Sequence, residues 1–255
     1  MSAILTYHQL GQYGRLGNQM YQIASTIGVA VKNNCDYVFP PWAYSKYFKE
    51  PVPQFKYGVP FINRAINEGS NLNYQNIVIK ETEGITNLMG YWQSYKYFDH
   101  CKDLIKRYFT FTDEVYKKAD LLEENLCSIH VRRGDYVNLQ DFHPVQSMNY
   151  YHEAIFFVRN ISNDRNLKFV VMSDDIQWCK ENFKGDEFIF REGTNEIEDL
   201  ALQTLCDYHI IANSSFSWWG AYLADSKITI APKNWFGKNI PNGDLDRIPE
   251  GWIRL

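Results

Sequence analysis

The sequence predicts an α/β fold built on mainly parallel sheet, and three observations carry that prediction. Short apolar runs of strand length alternate with segments whose apolar residues recur at helical spacing. Strands separated by such helices form βαβ units. The polar clusters Arg132–Tyr136, Ser173–Asp175 and Asn213–Ser215 each directly follow a predicted strand. Folding would therefore gather them at the carboxyl rim of the sheet, where ligands of such folds bind.

Taken in order, Ala3–His8 reads as the first strand and Gly11–Gly17 as a glycine-rich turn. Met20, Ile23, Ala24, Ile27 and Val31 then recur at helical spacing, which predicts a buried helix over Gln19–Lys32. Tyr37–Phe39 is the next strand. Residues 40–76 carry five Pro and no clear period, so they predict a long loop with a short helix. Ile77–Ile79 and Leu88–Tyr91 read as strands, Tyr95–Phe109 as a helix, and Thr110–Asp113 as a cap or boundary. The pattern then sharpens. Strands are expected at Leu126–Val131, Lys168–Met172, Glu187–Phe190, His209–Ala212 and Lys227–Ile230. Helices are expected at Ser147–Arg159, Ile176–Asn182, Glu196–Cys206 and Phe216–Ala224. No internal repeat or low-complexity segment interrupts the series.

Composition narrows the function. The 255 residues are 45% hydrophobic and 22% charged, enough for a sizeable core. A net charge of −4 without a basic block argues against nucleic acid as a partner. The five cysteines are odd in number, scattered and never C-x-x-C, which points to a reducing compartment rather than a disulfide framework. Met1–Gln9 lacks a signal-peptide pattern and no apolar run is long enough to span a bilayer. The expectation is a cytoplasmic protein without a transmembrane segment, with peripheral membrane contact left open.

Four clusters carry chemistry. Gly11–Gln19 joins strand to helix, with glycines for close approach and free helix N–H groups for an anion. Its spacing is neither the dinucleotide fingerprint nor a P-loop. A plain structural turn and an anion site both remain open, with Arg15 favouring the second. His130-Val-Arg-Arg-Gly-Asp-Tyr136 sets two guanidinium forks at a strand end, with Asp135 placed to hold one of them. His130 lies within the strand and reads first as a packed histidine. Ser173-Asp174-Asp175 reads as a helix cap in preference to a metal site, with contact to ribose or sugar hydroxyls open. In Asn213–Ala221 the serines can cap a helix and face phosphate. The adjacent Trp218 and Trp219 point about 100° apart on that helix, so a cleft-lining place for one of them and an aromatic helix packed under the sheet both remain open.

In this order the clusters resemble glycosyltransferase family 11, the α-1,2-fucosyltransferases. The matching segments are Gly14–Gln22, His130–Tyr136, Ser173–Asp175, Asn213–Gly220 and Ala231–Trp235. The resemblance implies a GT-B-like fold, two Rossmann-like halves facing across a cleft. Residues 1–110 would be the acceptor-side half and 111–255 the GDP-fucose-binding half. It also implies inverting transfer from GDP-β-L-fucose to the 2-hydroxyl of a terminal β-galactoside or similar sugar of an oligosaccharide acceptor, with no cofactor and no metal.

Residue by residue, Arg132 resembles the arginine at the β-phosphate, with Arg133 supporting it and Asp135 beside them in the catalytic cluster. His130 and Asp199 resemble residues near guanine and ribose; a carboxylate can accept from guanine N1–H and N2–H. Ser214, Ser215 and Phe216 resemble the loop lining the pyrophosphate and nucleoside, Arg15 and Asn18 residues facing the donor sugar or phosphate. Asp174 and Asp175 join the substrate-binding set. Asp135, His143 and several N-terminal acids qualify by type as general base, and spacing does not choose among them. Other readings are a GDP-sugar transferase of different linkage, a protein O-fucosyltransferase and a non-catalytic nucleotide-sugar binding module. An NAD-linked oxidoreductase is disfavoured by the missing G-x-G-x-x-G.

Overall fold

The computed structural model describes the chain apart from residues 1, 2, 57, 59, 60, 71, 81, 83, 122–124 and 242. The chain divides into two compact units, Met1–Thr112 with Asn242–Pro249, and Asp113–Pro241 with Glu250–Leu255. Each is built on one all-parallel sheet, the α/β class that the sequence predicts.

The first unit holds β1 (Ile4–Thr6), α1 (Leu16–Lys32), β2 (Asp36–Tyr37), β3 (Arg64–Asn67), β4 (Ile85–Met89) and α2 (Lys102–Tyr108). Its strand order is β2-β1-β4-β3. The order reverses between β1 and β4, so the loops leaving those two strands flank the position where open α/β sheets hold ligands. α1 is buried along nearly its whole length, and Met20, Ile23 and Ile27 are fully enclosed. Enclosing a side chain of that kind is worth about 1.5–3 kcal/mol. A second apolar centre stacks Trp42 on Phe48 and Phe48 on Phe111, at 5.3 and 4.8 Å between ring centres.

The second unit holds α3 (Asp113–Ala119), β5 (Leu126–Val131), α4 (Met148–Ser162), β6 (Lys168–Ser173), α5 (Ile176–Asn182), β7 (Phe188–Phe190), α6 (Glu196–Thr204), β8 (Tyr208–Ile210), α7 (Ser215–Leu223), β9 (Ile228–Ala231) and β10 (Ile253–Arg254). The strand order β10-β9-β8-β5-β6-β7 is that of a Rossmann sheet, reversing between β5 and β8. Every residue of β5 is buried, Ser128 and His130 among them, as a central strand covered on both faces requires. Ile129, Val131, Phe169, Val171 and Ile210 from the sheet pack with Tyr151, Ala154 and Val158 of α4.

Several sequence expectations are corrected. Ile77–Ile79 is not a strand: it keeps the alternation, with Ile77 and Ile79 buried and Val78 exposed. Its backbone pairs instead with the amide of Asn33, whose Nδ2 donates to Ile77 O at 3.0 Å while Ile79 N donates to Oδ1 at 2.9 Å. Tyr95–Phe109 is not one helix; two 3-10 turns at Tyr95–Tyr97 and Asp99–Cys101 precede α2. Within the irregular 40–76 stretch lies the edge strand β3, mostly exposed and so without an apolar signal; positions 57, 59, 60 and 71 of that stretch lie outside the described residues. Trp218 and Trp219 are both fully buried, so neither lines a cleft. α7 is covered on more than one side: Trp218 stacks on Tyr222 at 4.6 Å and meets Trp252, while Gly220 lies against Gln203 of α6.

Candidate active site

At the reversal point of the second sheet, β5 delivers Arg132 and Arg133, and β6 delivers Asp174 and Asp175. Arg132 pairs with Asp135, three residues on, and its Nη1 lies 2.9 Å from Asp174 Oδ2. Arg133 Nε donates to Asp175 Oδ2 at 3.0 Å, and Arg133 N donates to Asp174 Oδ1 at 2.9 Å. Gly134 makes the approach feasible, because a Cβ there would stand 2.4 Å from Asp174 Oδ2. Asp175 is also the N-cap of α5, accepting from Trp178 N at 3.3 Å. The two aspartates therefore hold the guanidinium groups and start a helix. Among the described residues no three His, Cys, Asp or Glu side chains gather where an ion could be held.

Aromatic faces support both arginines. Arg133 lies 4.2 Å over Trp178 and Arg132 5.2 Å over Tyr136, a cation–π arrangement that orients each fork. Tyr136 donates to Asn213 O at 3.2 Å, tying the β5 loop to the β8 loop, and its ring stacks on His143 at 4.8 Å. Burial raises the Tyr136 hydroxyl to about 12 against the lowering charge of Arg132, so it stays a neutral donor.

Ser214 caps α7, accepting from Phe216 N at 3.3 Å, and Ser215 begins the helix. His130 is buried beneath this turn. Its Nδ1 lies 2.9 Å from Ser217 Oγ and its ring 5.3 Å from that of Phe216. Burial first, and the Arg132 charge second, push the His130 pKa down to about 3, so the ring is neutral near pH 7.

The chain brings His130, Arg132, Arg133, Asp135, Asp174, Asp175, Ser214, Ser215 and Phe216 to adjacent strand ends. Asp199 belongs to a neighbouring group. From the first turn of α6 it accepts from Thr194 Oγ1 at 2.7 Å and lies 3.4 Å from Arg191 Nε. Burial raises its pKa, with Thr194 and Arg191 pulling the other way. Trp178, Arg191 and Thr194 are site neighbours that the sequence reading did not single out. Arg191 sits directly after β7, so the carboxyl-end rule could have found it; Trp178 had no such signal.

Arg15 and Asn18 lie in the first unit, at the mouth of α1. Arg15 is exposed and is the N-cap residue of that helix, without a side-chain cap bond. Gln19 Nε2 donates to Gly14 O at 2.9 Å and Gln22 Nε2 to Tyr13 O at 3.2 Å, so the helix itself holds the glycine turn down. Asn18 Oδ1 accepts from Gln93 Nε2 at 2.6 Å.

Comparison with known proteins agrees with the resemblance carried by the five motifs. The family model described as glycosyl transferase family 11 matches residues 5–255. An α-1,2-colitosyltransferase of Escherichia coli is 33% identical over 95% of this chain and 96% of its own length. Galactoside α-(1,2)-fucosyltransferase 2 of Sus scrofa is 29% identical over 83% of this chain and 68% of its own. Among solved structures, POFUT1 in complex with GDP-fucose matches with TM-score 0.59 and 12% identity, covering 88% of this chain and 95% of that one. Fucosyltransferase NodZ from Bradyrhizobium matches with TM-score 0.56 and 15% identity, covering 88% and 94%. These two establish the GT-B-like fold, with its two Rossmann-like halves. By its family match, and by the relatives that share its length, the chain belongs to glycosyl transferase family 11.

Proposed function

We propose that this family 11 enzyme transfers L-fucose from GDP-β-L-fucose, with inversion, to the 2-hydroxyl of a terminal β-galactoside or similar sugar of an oligosaccharide. The observation that carries the reading is the pair of arginines, each held by aspartates and an aromatic face, at the reversal point of a Rossmann sheet. When the acceptor oxygen attacks the anomeric carbon, the bond to GDP breaks and negative charge builds on the β-phosphate. Arg132 and Arg133, together with the N-terminus of α7 behind Ser214 and Ser215, stabilise that charge from positions set before the reaction. No step in this account needs a metal ion.

In this proposal the second unit is the donor-binding half, and the first unit, which includes residues 242–249, grips the acceptor. Asp199 accepts from the guanine N1–H and N2–H, His130 lies against the nucleoside as a neutral ring, and Asp174 and Asp175 keep the forks aimed. Arg15 and Asn18 meet the donor sugar or phosphate. The proposed place of work is the cytoplasm, a reading supported by the odd, scattered cysteines of the sequence.

A second reading, transfer of colitose, is favoured by the 33% identical relative of matching length. Colitose lacks the 3-hydroxyl of fucose, so donor choice is a direct test. The experiment is transfer from the GDP-activated forms of both sugars, in excess EDTA, to a panel of β-galactosides, β-glucosides and N-acetylhexosaminides, with linkage read by NMR. A 1,2-linked α-fucoside formed at full rate in EDTA is the expected product. Activity only with added divalent ion would overturn the arginine-based account, and a preference for colitose would select the second reading.

A further inference from the structure

Arg247 is 2% exposed, though it carries a permanent charge and lies in the short segment that returns to the first unit from near the C-terminus. Its Nη1 donates to Gln93 O at 2.5 Å and to Gln93 Oε1 at 2.7 Å. Gln93 Nε2 in turn donates to Asn18 Oδ1 at 2.6 Å. Gln93 follows β4 and Asn18 follows the β1 loop, so the amide pair spans the reversal point of the first sheet.

The segment carrying Gln93 is itself held from within. Glu68 accepts from Tyr91 N at 2.7 Å and from Trp92 N at 2.9 Å, and Trp92 has a left-handed φ of 52° that a side chain of its size rarely adopts. On its other side, Asn18 Nδ2 sits against Gly14, where a Cβ would come within 2.4 Å.

We infer that Arg247 sets the polarity of Asn18 through Gln93. A guanidinium can only donate, so the Gln93 oxygen must face it. The Gln93 nitrogen must then donate, the Asn18 oxygen must accept, and Asn18 turns its N–H donors toward Gly14. A donor pair there suits an oxygen acceptor, the phosphate or sugar oxygen of a nucleotide sugar. This rests on the reading that Asn18 meets the donor substrate. Arg247 and Gln93 are then positioning residues for it.

Gln93→Glu tests the idea. A carboxylate at 93 satisfies Arg247 but cannot donate to Asn18, which must turn over, donate its Nδ2 to the carboxylate and leave its oxygen facing the substrate. The expected result is at least a tenfold fall in kcat/KM for GDP-fucose with Tm little changed, since a carboxylate at 93 still accepts from Arg247. Asn18→Asp keeps the bond from Gln93 while removing the donors, and should show a loss of the same size. Asn18→Ala combined with Gln93→Glu should lose no more than Asn18→Ala alone, the signature of one shared path. If Asn18→Ala is impaired while either Gln93→Glu or Asn18→Asp stays within twofold of the parent, the polarity relay is wrong. If Asn18→Ala itself stays within twofold, the donor-contact reading beneath it is wrong.

Discussion

The two sheets reverse strand order in the same way, yet the two reversal points are built from different chemistry. In the second unit the rim is ionic. Arg132 and Arg133 are half-buried and clasped by Asp135, Asp174 and Asp175, all within a few residues of a strand end. In the first unit the rim is an amide pair, Asn18 and Gln93, polarised by one enclosed arginine from far along the chain. In the proposed reaction this charge faces the leaving diphosphate. Where only orientation is required, neutral amides avoid the larger desolvation cost of an ion pair.

The sharpest way to break this contrast is Arg132→Ala. Loss of one preorganised donor to a developing anion costs about 10²–10³ in turnover. A variant within threefold of the parent would remove the ionic rim from the reaction.

Acid separates the units next. His130 and His209 are buried in the second unit, with pKa values lowered to about 3 and about 4, in each case chiefly by burial. Unfolded histidines bind protons below about 6.5 and these two do not until far lower, so stability falls as pH drops below that value. Each contributes a loss of about 1.4 kcal/mol per pH unit in the window between the unfolded and folded values. Urea denaturation between pH 7 and 5.5 should record the loss, and hydrogen exchange should find β5 and β8 deprotected before β1 and β4. Equal deprotection of both sheets would count against a histidine origin.

Asp174→Asn should have the smallest effect. It keeps an oxygen for Arg133 N but weakens the hold on Arg132, and a charged hydrogen bond of this kind is worth about 1.5–3 kcal/mol. Steady-state kinetics should register a loss of about tenfold in kcat, most of the free energy of that one bond. No change in kcat would mean that Asp135 alone aims Arg132.

The contrast also explains what could be read from the sequence. The Arg132, Arg133 and Asp135 part of the ionic rim was legible because it is contiguous at one strand end, whereas Asp174 and Asp175 read as a helix cap and gave no sign that they grip the arginines across the sheet. β5 was legible to the residue, since its mostly apolar run stops at the paired charges of Arg132 and Arg133. The amide rim was not. Asn18, Gln93 and Arg247 lie in three distant segments, and nothing about a lone Gln or Arg announces a partner 154 positions away. β3 was missed because an exposed edge strand need not be apolar, and Ile77–Ile79 was misread because an Asn33 side chain imitates a neighbouring strand.

The return of residues 242–249 to the first unit bears on how the protein is made. Domains ordinarily fold in the order in which the ribosome releases them, at about 5–20 residues per second. Here the ribosome must add 154 residues after Gln93 before Arg247 exists, a wait of about 8–30 s at those rates. The first half to be synthesised thus waits for nearly the whole chain, and a nascent chain broken off before residue 247 would carry an incomplete N-terminal half.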